Sequence, residues 1–177
     1  MLAMSAKLVI RPYAPNDASA VAIVHVHTWQ QAYRGIIDDD ILDALEVNAY
    51  KKRWQDSYGR HNGDALRGTL VAVTNNEIFG FLSYGPARDA NSQIPTEIYG
   101  INILKPYWGI GVGYALFDEA RKKMRAFKER ETYLWVLADN DHAKTAYDRW
   151  GGRNTGITKT ITIGGQALVE QRFDFSL

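Results

Sequence analysis

The chain has 177 residues, 46% of them hydrophobic, with 21 Lys and Arg against 20 Asp and Glu, for a net charge of +1. Length and apolar content predict a single domain over residues 1–177 and exclude a disordered chain. The charge balance argues against a general nucleic-acid binder, which carries a basic excess. There is no cysteine, so disulfides, cysteine metal ligands and a cysteinyl acyl-enzyme are excluded.

Met1 to Ile10 holds only a short apolar run with Lys7, unlike a secretory leader. No stretch approaches the roughly 18 apolar residues that cross a bilayer. The expectation is a cytoplasmic chain with no membrane partner.

Lys7 to Arg11 reads as a first strand, ended by Pro12 and Pro15, with Asn16 or Asp17 capping a helix. Ala22, Val26, Trp29 and Tyr33 recur at helical spacing. A second helical segment runs from about Asp39 to Asp56, broken near Asn48. Thr69 to Thr74 and Ile78 to Tyr84 are strands joined at Asn75-Asn76-Glu77. Glu97 to Leu104 is a further strand. Gly111 to Phe127 is a helix with Val112, Leu116, Ala120, Met124 and Phe127 on its apolar stripe. Tyr133 to Leu137 is a strand, Asp141 to Trp150 a helix, and Gly156 to Phe175 a hairpin turning at Gly164-Gly165. The order β-α-α-β-β-β-α-β-α-β-β predicts an α/β (α+β mixed) fold, a mixed sheet with helices on its faces. Its middle strand-helix-strand unit is a parallel crossover.

The segment Ile101-Asn102-Ile103-Leu104-Lys105-Pro106-Tyr107-Trp108-Gly109-Ile110-Gly111-Val112-Gly113 runs from a strand through three alternating glycines into that amphipathic helix. Glycines let backbone approach a ligand closely. A helix start offers unpaired N–H groups and a positive dipole end. Together they suit a phosphate or pyrophosphate, or simply a tight helix-on-strand turn. A dinucleotide fingerprint fails, because Tyr114 or Leu116 stands at its last glycine position. A P-loop fails for lack of the Gly-Lys-Ser/Thr ending.

In this loop the sequence resembles the GNAT family of N-acetyltransferases. That family's pattern is Gln/Arg-x-x-Gly-x-Gly/Ala after its fourth strand. Trp108 falls on the Gln/Arg position, and Gly111 and Gly113 fall on the glycines. A second block, Asn140 to Gly152, is similar to N-x-x-A-x-x-x-Y-x-x-x-G-F, with Asn140, Ala143, Tyr147 and Gly151 in register and Gly152 replacing the Phe. A third, Trp29-Gln30-Gln31-Ala32-Tyr33-Arg34-Gly35, resembles a bacterial branch that includes polyamine acetyltransferases.

The resemblance implies a mostly antiparallel central sheet, acetyl-coenzyme A as co-substrate, and acetyl transfer to a primary amine. The favoured acceptor is a small molecule such as a polyamine. A protein N-terminus or lysine is the alternative, and a non-catalytic acyl-CoA sensor a second one. It implies that N–H groups of Gly109, Ile110, Gly111, Val112 and Gly113 cradle the pyrophosphate beside Trp108. Ile101, Asn102 and Ile103 would flank the pantetheine arm and the acetyl carbonyl. Asn140 would bond the arm, and Tyr147 would stand near the sulfur. It further implies pairing of two copies through the C-terminal strands, where Thr158 to Ile163 alternates.

The chemistry needs a neutral amine, a stabilised oxyanion and a thiolate that can leave. An alkylamine with a pKa of about 10.4 arrives protonated, so a base or a water chain is required. Backbone N–H near Ile101 to Ile103 can polarise the carbonyl. Tyr147 is the candidate acid, since a phenol stays protonated at neutral pH; spacing alone reads equally as a core tyrosine. Glu97 is the candidate base, because alternation puts it on the face of Ile101 and Ile103 when no bulge intervenes; it reads equally as an exposed acid. Asp139 is a second candidate base, or a cap. His25 and His27 lie near the acceptor side, a place more often structural for histidine. Trp29, Tyr33 and Arg34 could line the acceptor pocket, or serve as core and surface charge. Lys144, Arg149 and Arg153 could meet the 3′-phosphate, or form a solvated face. The Asp38-Asp39-Asp40 run could attract a cation, or open a helix. No His/Asp/Glu spacing resembles a zinc site, and no metal is expected.

Overall fold

The computed structural model describes residues 7–61 and 63–177. The segment read as lacking a leader falls largely on residues 1–6, outside the described residues, as does Asn62.

Strand β1 spans Val9–Pro12, and a 3-10 turn at Pro15–Asp17 leads into helix α1, Ala18–Ala32. Asp17 does not cap through its side chain. It accepts from Arg11 at 2.6 and 2.9 Å and from the backbone N–H of Ala14 at 2.8 Å, tying β1 to the helix entry. Helices α2, Asp39–Asp43, and α3, Val47–His61, follow, with the break over residues 44–46. Strands β2, Gly68–Thr74, and β3, Glu77–Pro86, join through Asn75 and Asn76, whose φ values of 48° and 65° suit a tight hairpin. Then come β4, Thr96–Ile103; helix α4, Val112–Ala126; β5, Glu131–Leu137; and helix α5, Asp141–Arg149. The hairpin β6, Arg153–Ile163, and β7, Gln166–Ser176, turns at Gly164-Gly165, as expected.

The strands form one sheet in the order β1-β2-β3-β4-β5-β7-β6. Every neighbouring pair is antiparallel except β4 and β5, the two strands joined by α4. On one face Val112, Leu116, Phe117, Ala120 and Met124 of α4 meet Leu70, Leu82, Ile98 and Phe173. On the other, Val21 and Val24 of α1 meet Val71 and Phe81. The stripe predicted for α1 was Ala22, Val26, Trp29 and Tyr33. Ala22 and Val26 are buried as well, and Trp29 and Tyr33 join a separate cluster around Ile37, Leu42, Leu137 and Leu168. Helix α1 is apolar on more than one side because the sheet, α3 and this cluster all pack against it.

Two irregularities open the sheet. Between β3 and β4 the register jumps from Tyr84↔Ile98 to Ser83↔Gly100, which leaves Tyr99 as the extra residue of a bulge. Between β4 and β5 only Glu97↔Tyr133 and Ile98↔Leu134 pair. Beyond Ile98 the two strands part, and the edge of β4 that faces β5 has no strand partner there.

Candidate active site

A cleft of about 980 Å³ occupies that split. One end is walled by the glycine loop and α5. The other reaches between α1, α3 and β3.

At the loop end, the three glycines serve two different needs. Gly109 and Gly111 adopt φ of 76° and 90°, with open space around the position of a β-carbon. They turn the chain sharply into α4, and Gly111 is its N-cap. Gly113 has an ordinary backbone, but an added Cβ would lie 2.9 Å from the Trp150 ring. It is the close packing of the helix start that requires it. The first main-chain bond of the helix is Ala115 N–H to Gly111 C=O at 3.0 Å, so the N–H groups just before it have no helical acceptor. Such a helix start suits an anion.

Trp108 takes the place of the hydrogen-bonding residue in the resembled pattern. Its Nε1 donates to the Ile103 carbonyl at 2.6 Å, and its ring stacks on His142 at 4.4 Å. The Ile103 carbonyl is thereby engaged by the loop. Asn140 caps α5, with Oδ1 accepting from Ala143 N–H at 3.2 Å. Among the described residues its Nδ2 makes no hydrogen bond, so a donor remains in the cleft wall. Arg149 lines the cleft too, whereas Lys144 pairs with Asp141 and Arg153 with Asp174.

Tyr147 faces the cleft from α5, and its ring packs edge-on against Trp150, Phe173 and Phe175 at 5.5, 5.9 and 6.3 Å. Burial, with a contribution from Tyr33, holds its phenol well above the usual value. Tyr33 is pushed up to about 12 by burial and then by Glu170. Both phenols therefore stay protonated across the physiological range. Gly152 leaves room for Phe175, whose ring would lie 2.7 Å from an added Cβ. Phe175 of β7 thus occupies the space beside Gly152.

Of the remaining expected residues, Ile101, Asn102, Val112, Trp29 and Tyr33 line the cleft. Three do not. Ile110 turns its side chain to solvent, 68% exposed. Arg34 pairs with Asp39 at 2.9 Å and with Asp43, tying the end of α1 to α2; of the acidic run only Asp39 is engaged there, and Asp39 and Asp40 open α2. Glu97 is the third, and the bulge is the reason. Tyr99 shifts the alternation by one, so Glu97 falls on the face opposite Ile101 and Ile103. Its carboxylate, 1% exposed, accepts from Arg88 N–H at 2.9 Å, Arg88 Nε at 3.1 Å, Arg88 Nη2 at 2.5 Å and Tyr133 Oη at 3.2 Å. A carboxylate so engaged is a structural anion and no free base.

The sequence reading missed Trp54, Phe81, Ser83, Arg88 and Glu170, which also line the cleft. They come from α3, β3, the following loop and β7, and no local pattern links them. Among the described residues no group of three or more His, Cys, Asp or Glu is placed to hold a metal ion, and no helix is long and apolar enough to cross a membrane.

Comparison with known proteins agrees with this architecture. The model of the acetyltransferase (GNAT) family matches residues 26–152. The uncharacterised N-acetyltransferase YuaI of Bacillus subtilis is 27% identical over 132 residues, covering 74% of this chain and 72% of that protein. Among solved structures, a GCN5-related N-acetyltransferase of Rhodopseudomonas palustris superposes with a TM-score of 0.75 at 23% identity, covering 100% of this chain and 99% of that one. The PaiA N-acetyltransferase of Thermoplasma acidophilum, in complex with coenzyme A, gives 0.71 at 19% identity over 93% of this chain and 98% of that one. At such identities the structural likeness speaks for the fold. The family match carries further, because it runs from within α1 to the end of the α5 block and takes in both motifs around the cleft: the chain belongs to the acetyltransferase (GNAT) family and is an acetyl-coenzyme A-dependent acyltransferase.

Proposed function

We propose that this enzyme moves an acetyl group from acetyl-coenzyme A directly to a primary amine of a small molecule. The observation that carries the reading is the continuity of the cleft, which joins the glycine loop, the unpaired edge of β4 and Tyr147 to a pocket between α1 and β3. The pocket's walls are His25, Trp29, Trp54 and Phe81, a lining for a compact body more than for an extended peptide.

In this reading the N–H groups of Gly109 to Gly113 hold the pyrophosphate, the open edge of β4 aligns the pantetheine arm, and the Asn140 Nδ2 donates to it. Coenzyme A supplies the activated thioester. As the C–N bond forms and the C–S bond breaks, Tyr147 gives its proton to the departing sulfur. The amine's proton leaves through water in the cleft, whose lining includes the Glu170 carboxylate that also acts on Tyr33. A polyamine would meet one carboxylate there, Glu170, and this is paired with Lys159 at 3.3 Å. The reading is tested by following thiol release from acetyl-coenzyme A with panels of small amines, polyamines and N-terminal peptides. Turnover confined to peptides would overturn the small-molecule assignment. Two copies joined along β6, the sheet's edge strand, remain part of the proposal, and light scattering reads them directly.

A further inference from the structure

A buried carboxylate is costly unless it is paired and fully hydrogen-bonded. Glu97 is such a carboxylate, and three of the four donors that satisfy it belong to one residue, Arg88. The guanidinium is also held on its face, with Cζ 4.4 Å from the centroid of the Tyr99 ring. That ring is itself fixed, since Tyr99 Oη donates to the Pro86 carbonyl at 2.7 Å. The loop carrying Arg88 is closed by Ala87 N–H to Pro95 C=O at 2.8 Å and reaches Arg172 through Ser92. The conformational freedom of this arginine is therefore spent in folding.

Yet the side chain remains 57% exposed and forms part of the cleft wall. Among the described residues its Nη1 makes no hydrogen bond. A planar, immobilised guanidinium edge suits a carboxylate far better than it suits another cation. The two carboxylates of the cleft lining, Glu170 and Asp141, are each occupied by a lysine, at 3.3 and 2.8 Å. The wall thus offers an open guanidinium edge and no unpaired acid. The same cleft is lined by the apolar faces of Trp29, Trp54 and Phe81. Resting on the small-amine reading of this same cleft, we infer that the acceptor carries a carboxylate as well as its amine, on an apolar body, and that Arg88 binds that carboxylate. Glu97 is then a positioning residue that aims Arg88.

The test pairs each acceptor acid with its own amide, such as phenylalanine with phenylalaninamide and leucine with leucinamide, with spermidine as a third arm. Rates are referred to the neutral amine, because the amide lowers the amine's pKa. The acids are expected to show KM values at least tenfold below their amides, and spermidine to be the poorest substrate. Removing Arg88 alone would strand Glu97, so the main variant is Arg88→Gln with Glu97→Gln. Melting and calorimetric binding of coenzyme A check its fold. It is expected to raise KM at least tenfold for the acids, less than threefold for the amides, and to leave coenzyme A binding unchanged. Arg88→Lys keeps the charge without the fork, and its acid-to-amide ratio should fall between the two; should the double variant not fold, an unchanged ratio in Arg88→Lys overturns the inference. A wild-type preference for amides or spermidine overturns it too, as does an equal rise in both KM values in the double variant. In those cases amines are still acetylated and the small-amine reading stands. Coenzyme A binding without turnover of any amine would remove both.

Discussion

Gly113→Ala and Gly111→Ala are the same substitution two residues apart, and the structure gives them different penalties. At Gly113 the new methyl would stand 2.9 and 3.0 Å from Trp150 Cη2 and Cζ2 and 3.2 Å from Ile103 Cδ1. The indole has little room to yield, being stacked on Phe117 at 5.4 Å and set against Tyr147 at 5.5 Å. Overpacking of this kind costs about 1–3 kcal/mol, and alanine's better helix propensity returns up to about 1 kcal/mol. A net loss of about 1 kcal/mol follows. It is concentrated where α4 meets β4, so the Kd for coenzyme A should rise several-fold. At Gly111 the methyl meets nothing within 4 Å, but φ is 90°. There the penalty is conformational, about 1–2 kcal/mol, and Gly111→Asn should recover part of it because Asn tolerates the left-handed region. Urea unfolding and calorimetry of coenzyme A binding read both. Adding Trp150→Leu should relieve Gly113→Ala, with a coupling of about 1 kcal/mol, and leave Gly111→Ala uncoupled. Additivity of Gly113→Ala with Trp150→Leu, or asparagine serving Gly113 as well as Gly111, would refute the reasoning.

His25 is ringed by Tyr50, Phe81 and Trp29 at 4.6, 5.3 and 5.8 Å, and burial, then Arg53, pulls its pKa from 6.5 to about 4. The folded state disfavours the proton, so this stability is complete above pH 6.5 and is lost as pH falls through 4. It amounts to about 3 kcal/mol at most, less where cleft water reaches the ring. Unfolding free energies between pH 7 and 4 should fall more steeply for the wild type than for His25→Phe, and equal slopes would count against it. For Tyr147→Phe we expect kcat to drop at least tenfold with coenzyme A affinity nearly unchanged, as read by thiol release. Because burial raises the Tyr147 phenol, kcat/KM should climb with pH toward the amine's own pKa of about 10.4 without a falling limb near pH 10. Such a limb, abolished in Tyr147→Phe, would show an ordinary exposed phenol instead.

Much of the fold is legible in the sequence because its cues are local. Asn75-Asn76 and Gly164-Gly165 mark the two hairpins, and all four residues adopt positive φ. The apolar stripe of α4 follows the helical period, and it holds four of the helix's five buried residues, Val112, Leu116, Ala120 and Met124; it lacks Phe117, and Phe127, past the helix end, is exposed. The bulge at Tyr99 has no such cue. Glu97 to Leu104 reads as a plain strand, and the extra residue shows only when Ser83 and Tyr84 are laid beside it. One misplaced residue sufficed to move Glu97 from the face of Ile101 to the opposite face.

The same distinction separates the two ends of the cleft. In the proposed function, phosphate and pantetheine meet backbone groups, which demand glycines and helix starts within short stretches such as residues 101–113 and 140–151. Those demands leave patterns a reader can find. The acceptor end is met by side chains from α1, α3, β3, the Arg88 loop and β7, brought together only by the closed sheet. Ser83 and Glu170 share that wall across 87 positions of chain. Each such residue can change without disturbing a local motif. An enzyme built this way can keep one donor substrate while its acceptor changes, and the acceptor must be sought in the geometry around Arg88 and Trp54, where the sequence carries no pattern for it.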